Sequence, residues 1–328
     1  MNLLNRYKTC FKMIGFFTLI ASLFALTGCE DAALINSKGN IGVQQRDLIY
    51  TAVGLMLIVV IPAIFLSVFF AWKYRASNTK NEYKPDWEHS NKIEFVVWMI
   101  PLIIIVILGT ITWKTAHSLH PYKPIEHEKT PLIVEVVSLD WKWLFIYPEQ
   151  GVASINELAI PVDRPVEFRL TSETVMNSFF VPQLGGQIYV MAGMQTKLNL
   201  IADEPGIFKG ISASYSGHGF SGMKFNTIAK PENEFNAWVE TVRATGKPLD
   251  TMEAYDEIAK VKDNSPVLYF NNVKTDLFRA IVTRISGDMF GGAHGAHGAN
   301  ASSHESHLTD EHNTHVADES NTSHTTAH

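Results

Sequence analysis

The sequence predicts a membrane protein of mixed class: a two-helix transmembrane hairpin, then an all-β domain, then C-terminal helices. Three observations carry that expectation. Residues 48–71 and 95–113 form two runs without a charged side chain. Beyond about Ile125, short apolar segments alternate with Pro and Gly. After Pro231 the apolar spacing lengthens from two residues to three and four. Hydrocarbon about 30 Å thick takes roughly 20 helical residues to cross, and both runs are long enough.

The chain has 328 residues, room for several parts. Its hydrophobic content of 46 % is unevenly spread, with three dense blocks in the first 113 residues. A net charge of −6 without any basic patch argues against a nucleic-acid partner. The two cysteines are Cys10 and Cys29. Everything after Cys29 therefore has no thiol, which excludes a disulfide framework and any thiolate metal site there.

Taken in order, the N-terminus carries Arg6, Lys8 and Lys12, then an apolar stretch over residues 13–26, then Leu26-Thr27-Gly28-Cys29. This pattern resembles a bacterial lipobox. Residues 1–28 are then a lipoprotein signal, cut after Gly28, and Cys29 carries a diacylglyceryl thioether and an acylated amino group. Residues 29–46 are the lipidated N-terminal segment.

Residues 47–114 hold the two spans, joined by a loop over 73–92. That loop carries Lys73, Arg75, Lys80, Lys84 and Lys92, and the excess of cations places it in the cytoplasm. Both ends of the mature chain then face the periplasm of a bacterial inner membrane. Trp72, Tyr74, Trp98 and Trp113 sit near the span ends, where amphipathic rings prefer to lie. Pro62 and Pro101 are tolerable if neighbouring helices satisfy the freed carbonyls.

Residues 125–230 read as a β-sandwich or barrel. Strands are expected over 131–139, 157–161, 165–171, 196–202 and 224–229. Trp141, Trp143, Phe145 and Tyr147 alternate at period two and are expected on one face of another strand. Residues 231–285 read as a helical extension, with helices around Phe235–Val242, over 251–261 and around Phe278–Ile285. The tail, 286–328, holds eight His and no Lys or Arg. Its composition cannot bury a core and predicts disorder. Pairs such as His294/His297 and His304/His307 could gather metal, but a solvated tail is the simpler reading.

Three motifs carry a family resemblance: Lys92-Ile-Glu-Phe-Val-Val-Trp-Met-Ile-Pro101, Asp140-Trp-Lys-Trp-Leu-Phe-Ile-Tyr147 and Ser212-Ala-Ser-Tyr-Ser-Gly-His-Gly-Phe-Ser-Gly-Met223. Together they resemble subunit II of haem-copper respiratory oxidases, in particular the quinol-oxidising, cytochrome bo-type branch, over about residues 45–285. The resemblance implies a cupredoxin-like sandwich.

The third motif lies where cytochrome c oxidases hold two copper ions. Aligned on Met223, Phe220 stands at the family's His and Ser216 and Ser212 at its two Cys. Ser214 stands at its Glu, and Asn177 at its earlier His. A dinuclear copper centre, like a blue-copper site, needs thiolate. Serine hydroxyls are far too weakly acidic to replace it, and Phe220 has no lone pair. His218 is a single imidazole out of register.

The resemblance therefore implies a chain with no catalytic residue, no metal and no cofactor of its own. Haems and copper are expected on subunit I, and ubiquinol is bound by the complex. Its partners would be subunit I, the other oxidase subunits and membrane lipid. Menaquinol is an alternative substrate of the complex. A different reading is a membrane-tethered lipoprotein that collects metal through the His-rich tail. Family carboxylates at the position of Glu94 sit at a proton-uptake mouth, so Glu94 is a candidate for proton entry or an interfacial charge beside Lys92. Trp141 and Trp143, which assist electron entry in copper-bearing relatives, are expected to pack in the sandwich or against a partner subunit.

Overall fold

The computed structural model describes residues 33–75, 78, 88–262 and 264–291. The expected signal, Gly28, Cys29, most of the basic loop and the His-rich tail beyond Gly291 lie outside these residues.

Helices α1 (Asn40–Lys73) and α2 (Asn91–Ser118) contain the two uncharged runs. Neither has an apolar stripe facing the rest of the chain, and the most hydrophobic window of each is wholly unburied. A helix apolar all round needs an apolar surrounding. Each helix contains its expected proline, Pro62 or Pro101.

Both helices outrun the expected span of 47–114. The start of α1 is held by the sandwich through backbone hydrogen bonds. Lys38 N–H donates to Gln183 O (2.7 Å), Gly42 N–H to Leu184 O (3.1 Å) and Asp203 N–H to Lys38 O (2.9 Å). Glycines permit this approach. A Cβ on Gly185, whose φ is +91°, would lie 2.6 Å from Gly42 N.

The sandwich begins with β1 (Leu132–Leu139), β2 (Lys142–Tyr147), β3 (Val152–Ile155), β4 (Glu157–Pro161) and β5 (Val166–Ser172). It continues with β6 (Asn177–Phe180), β7 (Gln187–Val190), β8 (Thr196–Leu200), β9 (Gly206–Ser212) and β10 (Lys224–Lys230). Helix α3 (Glu232–Thr245), β11 (Lys247–Pro248), α4 (Met252–Ala259), β12 (Leu268–Asn271) and α5 (Leu277–Gly291) complete it. One sheet has the order β11-β12-β3-β2-β1-β5-β8 and the other β4-β10-β9-β6-β7. All five expected strands over 131–139, 157–161, 165–171, 196–202 and 224–229 form, within one or two residues at their ends.

Strands β1 and β2 are nearly continuous apolar runs because both of their faces are covered. Val134, Val136, Trp143, Phe145 and Tyr147 point between the sheets. Val137, Leu139, Leu144 and Ile146 point the other way, under Tyr255, Phe278 and Ile281 of α4 and α5. Two layers of core therefore share one sheet.

The C-terminal extension is not purely helical, as the spacing suggested. Leu268–Asn271 pairs antiparallel with β3 and extends the larger sheet. Helix α5 also runs to Gly291, past the expected start of the tail at Ser286. Ser286 Oγ donates within hydrogen-bond reach of Gly193 O (2.8 Å) and Val282 O (2.7 Å), which ties that turn to the sandwich.

Candidate functional site

Pairing of β6 with β9 and of β9 with β10 gathers the residues at one end of the smaller sheet. Asn177 opens β6, Ser212 closes β9 and Met223 directly precedes β10. Ser212 N–H donates to Met223 O (3.2 Å). Ser212 Oγ donates to Asn177 Oδ1 (3.1 Å), with Ser214 O as a second acceptor at 3.3 Å. Asn177 Nδ2 donates to Val175 O (3.2 Å). Ser216 Oγ reaches Met223 Sδ at 4.0 Å. Asn177, Ser212 and Met223 are buried.

Phe220 lies in a short 3-10 turn over Phe220–Gly222, and its ring meets Tyr215 edge-on at 5.6 Å. The fold thus unites Asn177, Ser212, Ser216 and Met223, while Phe220 packs on a tyrosine that is 77 % exposed.

Trp141 departs from expectation. It sits in the turn between β1 and β2 at φ +61°, not on the strand face with Trp143, Phe145 and Tyr147. From there its indole covers the loop: Nε1 donates to Ser216 O (3.3 Å), and the ring stands edge-on to His218 at 6.3 Å. Trp143 is completely buried between the sheets, so it offers no surface to a partner.

The donor set lacks any anion and is already engaged. It comprises two hydroxyls, one amide and one thioether, with His218 exposed above Trp141. Copper of the kind the family's loop holds needs thiolate and imidazole together, and these residues do not fit it. Among the described residues, no three His, Cys, Asp or Glu side chains lie close enough to share a metal ion.

Two supports were not visible in sequence. Glu173, just before the Asn177 segment, is clamped by Arg284 Nη2 of α5 (2.7 Å) and by the Tyr255 hydroxyl of α4. Arg284 Nη1 also pairs with Asp256 (2.6 Å). Burial first, then the Glu173 carboxylate, pushes the Tyr255 phenol far up, so it stays a donor. Glu157 Oε1 accepts from Trp238 Nε1 (3.1 Å) and the Tyr269 hydroxyl (2.6 Å), fastening α3 and β12 to β4. Burial and that carboxylate push Tyr269 up to about 12. Four of these contacts join residues 81 to 112 positions apart and the Arg284–Asp256 pair spans 28, with no local pattern to announce them.

Glu94 lies in the first turn of α2, and its carboxylate accepts from Ser90 N–H at 3.3 Å. That satisfies a free amide at the helix start and places negative charge at the positive end of the dipole.

Fold and site define a membrane-anchored protein whose periplasmic-type β-sandwich is cupredoxin-like, with a hydrogen-bonded hydroxyl–amide cluster at one end of its smaller sheet. The family models agree. Residues 149–228 match "Cytochrome C oxidase subunit II, periplasmic domain", and residues 243–289 match "COX Aromatic Rich Motif". The chain is 56 % identical over 278 residues to cytochrome bo(3) ubiquinol oxidase subunit 2 of Pseudomonas aeruginosa, covering 84 % of this chain and 83 % of that one. It is 53 % identical over 272 residues to ubiquinol oxidase subunit 2 of Acetobacter aceti, covering 82 % and 88 %. With quinol oxidase subunit 2 of Bacillus subtilis it shares 39 % over 243 residues, 73 % of this chain and 75 % of that one. The chain belongs to the ubiquinol oxidase subunit 2 family.

Proposed function

We propose that this chain is the non-catalytic subunit II of a proton-pumping quinol:oxygen oxidoreductase of the cytochrome bo type. The observation that carries the proposal is the closed Asn177–Ser212 pair, with Ser216 and Met223 beside it, where copper-bearing relatives need thiolates. A chain with this donor set cannot relay electrons from cytochrome c. Electrons from quinol reach the haems and copper of subunit I without crossing this polypeptide. Identity is higher to relatives named for ubiquinol than to the Bacillus subtilis quinol oxidase subunit, which favours ubiquinol over menaquinol.

In this reading residues 1–28 are removed as a signal, Cys29 is lipidated, and α1 and α2 seat the sandwich on the periplasmic face of the inner membrane beside subunit I. The chain contributes assembly and docking. In the purified complex, oxygen consumption should be fast with ubiquinol and absent with reduced cytochrome c, and the separated subunit should carry no copper. Stoichiometric copper in that subunit would overturn the proposal.

The hydrogen bond from Ser90 N–H favours helix capping as the role of Glu94. Glu94→Gln keeps an acceptor oxygen and cannot exchange a proton. Its complex should assemble and turn over at the parent rate, whereas Glu94→Ala should loosen the helix start by about 1 kcal/mol. Slowed proton uptake by an intact Glu94→Gln complex would assign the residue to proton entry instead.

A further inference from the structure

A crevice of about 360 Å³ lies where the membrane hairpin meets the sandwich. It is bounded by the first turns of α1, the segment after α2, and the β7 and β8 edge of the sandwich. Its height follows from helix geometry. Asn40 to Gln45 precede the uncharged run at Leu48 by about 5–12 Å at 1.5 Å per residue, and Ser118 follows Trp113 by about 8 Å. The polar headgroup layer extends roughly 5–8 Å beyond each hydrocarbon face. The crevice therefore opens at headgroup level.

Its charges are mixed in a specific way. His120 and Lys123 supply donors, and Glu126 and the Asn199 side-chain oxygen supply acceptors. The rim is built rather than incidental. Asn199 donates twice to Pro121 O, from its backbone N–H (3.2 Å) and from Nδ2 (3.1 Å), and Lys123 N–H donates to His120 O (2.9 Å). His120 Nδ1 accepts from Tyr122 N–H (3.3 Å), which leaves Nε2 as the donor of the neutral ring. Among the described residues, neither Lys123 nor Glu126 is in an ion pair.

We infer that this crevice binds the headgroup of a phospholipid bearing both a phosphate and a primary amine, of the phosphatidylethanolamine type. His120 Nε2–H and the Lys123 ammonium take the phosphate; the Glu126 carboxylate and Asn199 Oδ1 take the amine. Charge-assisted hydrogen bonds of this kind are the strong ones. The lipid would sit in the angle between hairpin and sandwich, its tails beside the helices. The inference needs only the membrane seat of the hairpin and is independent of which quinol the complex uses.

The test is native mass spectrometry of the intact complex, released from nanodiscs of phosphatidylcholine doped with either phosphatidylethanolamine or phosphatidylglycerol. The parent complex should retain phosphatidylethanolamine in preference to phosphatidylglycerol. The pair His120→Ala and Lys123→Ala should lower retention about tenfold for both lipids. Glu126→Gln should lower phosphatidylethanolamine retention to that of phosphatidylglycerol and so erase the preference. Unchanged retention in the double variant, or no preference in the parent, would overturn the inference. So would displacement of the lipid by inorganic phosphate alone, which would mark a free-anion site. Unaltered thermal unfolding of each variant separates lost binding from lost fold, and the Glu126→Gln arm stands even if the double variant misfolds.

Discussion

Trp143→Ala should destabilise the periplasmic domain by about 3–5 kcal/mol, the usual cost of truncating a large buried aromatic. The indole stands edge-on to Phe179 (5.5 Å) and Phe225 (5.7 Å), and those two rings stack at 5.2 Å. Phe145 meets Phe225 at 5.1 Å, and Phe168 meets Phe179 at 5.4 Å. Strands β2 and β5 of one sheet thus grip β6 and β10 of the other through a single aromatic cluster. Removing its largest ring opens a cavity that rigid neighbours cannot close. Domain stabilities are typically about 5–15 kcal/mol, so the loss is a large share.

Trp143→Phe makes the sharper comparison. Trp143 Nε1 is buried without a hydrogen-bond partner among the described residues, so phenylalanine removes an unsatisfied donor along with some volume. The two effects oppose each other, and the net change should stay within about 1 kcal/mol. Chemical denaturation of the full chain, followed by near-ultraviolet circular dichroism, reads both variants. An alanine variant as stable as the phenylalanine one would show that the cluster does not hold the sheets together.

Gly185→Val should unseat the membrane hairpin from the sandwich. At φ +91° a β-branched residue is strained, and its Cβ would lie 2.6 Å from Gly42 N and 2.8 Å from Gly42 Cα. These contacts are with backbone, so no side-chain rotation relieves them. The backbone bond from Gly42 N–H to Leu184 O, and that from Lys38 N–H to Gln183 O, would be lost with the strain. Backbone strain of about 1–3 kcal/mol plus two hydrogen bonds near 1 kcal/mol each gives roughly 3–5 kcal/mol at the junction. Limited proteolysis should then cut the chain near Ser37–Gly39 at least tenfold faster, with β-sheet circular dichroism unchanged. Gly287→Ala is the control: a Cβ there meets nothing within 4 Å, and cutting should not change. Equal protection in Gly185→Val would show that the junction does not depend on this close approach.

What could be read in advance follows from the range of each interaction. The two spans, the long strands and all three C-terminal helices declared themselves through periodicity within single segments. Strands β3, β6, β7 and β9 did not. The first three have only four residues each, and β9, Gly-Ile-Phe-Lys-Gly-Ile-Ser, mixes Gly and Lys into its apolar run. Strand β12 was missed for the same reason as β3, its partner. Trp141 was misplaced because period-two spacing continues across a tight turn as readily as along a strand. Asn177 and Ser212 were paired only through a family resemblance, since 35 residues separate them.

By itself the sequence determined two things: that two stretches belong in hydrocarbon, and that no sulfur anion can exist beyond Cys29. Both depend on residue identity alone. Tertiary structure decided what depends on pairing between distant segments. It buried Trp143 while lifting Trp141 onto the Ser216 loop, and closed Ser212 on Asn177. It also locked the start of α1 to the sandwich through glycine. The reason is physical: backbone bonds and ring contacts form only when segments far apart in the chain reach the same few ångströms, and no local pattern encodes that distance.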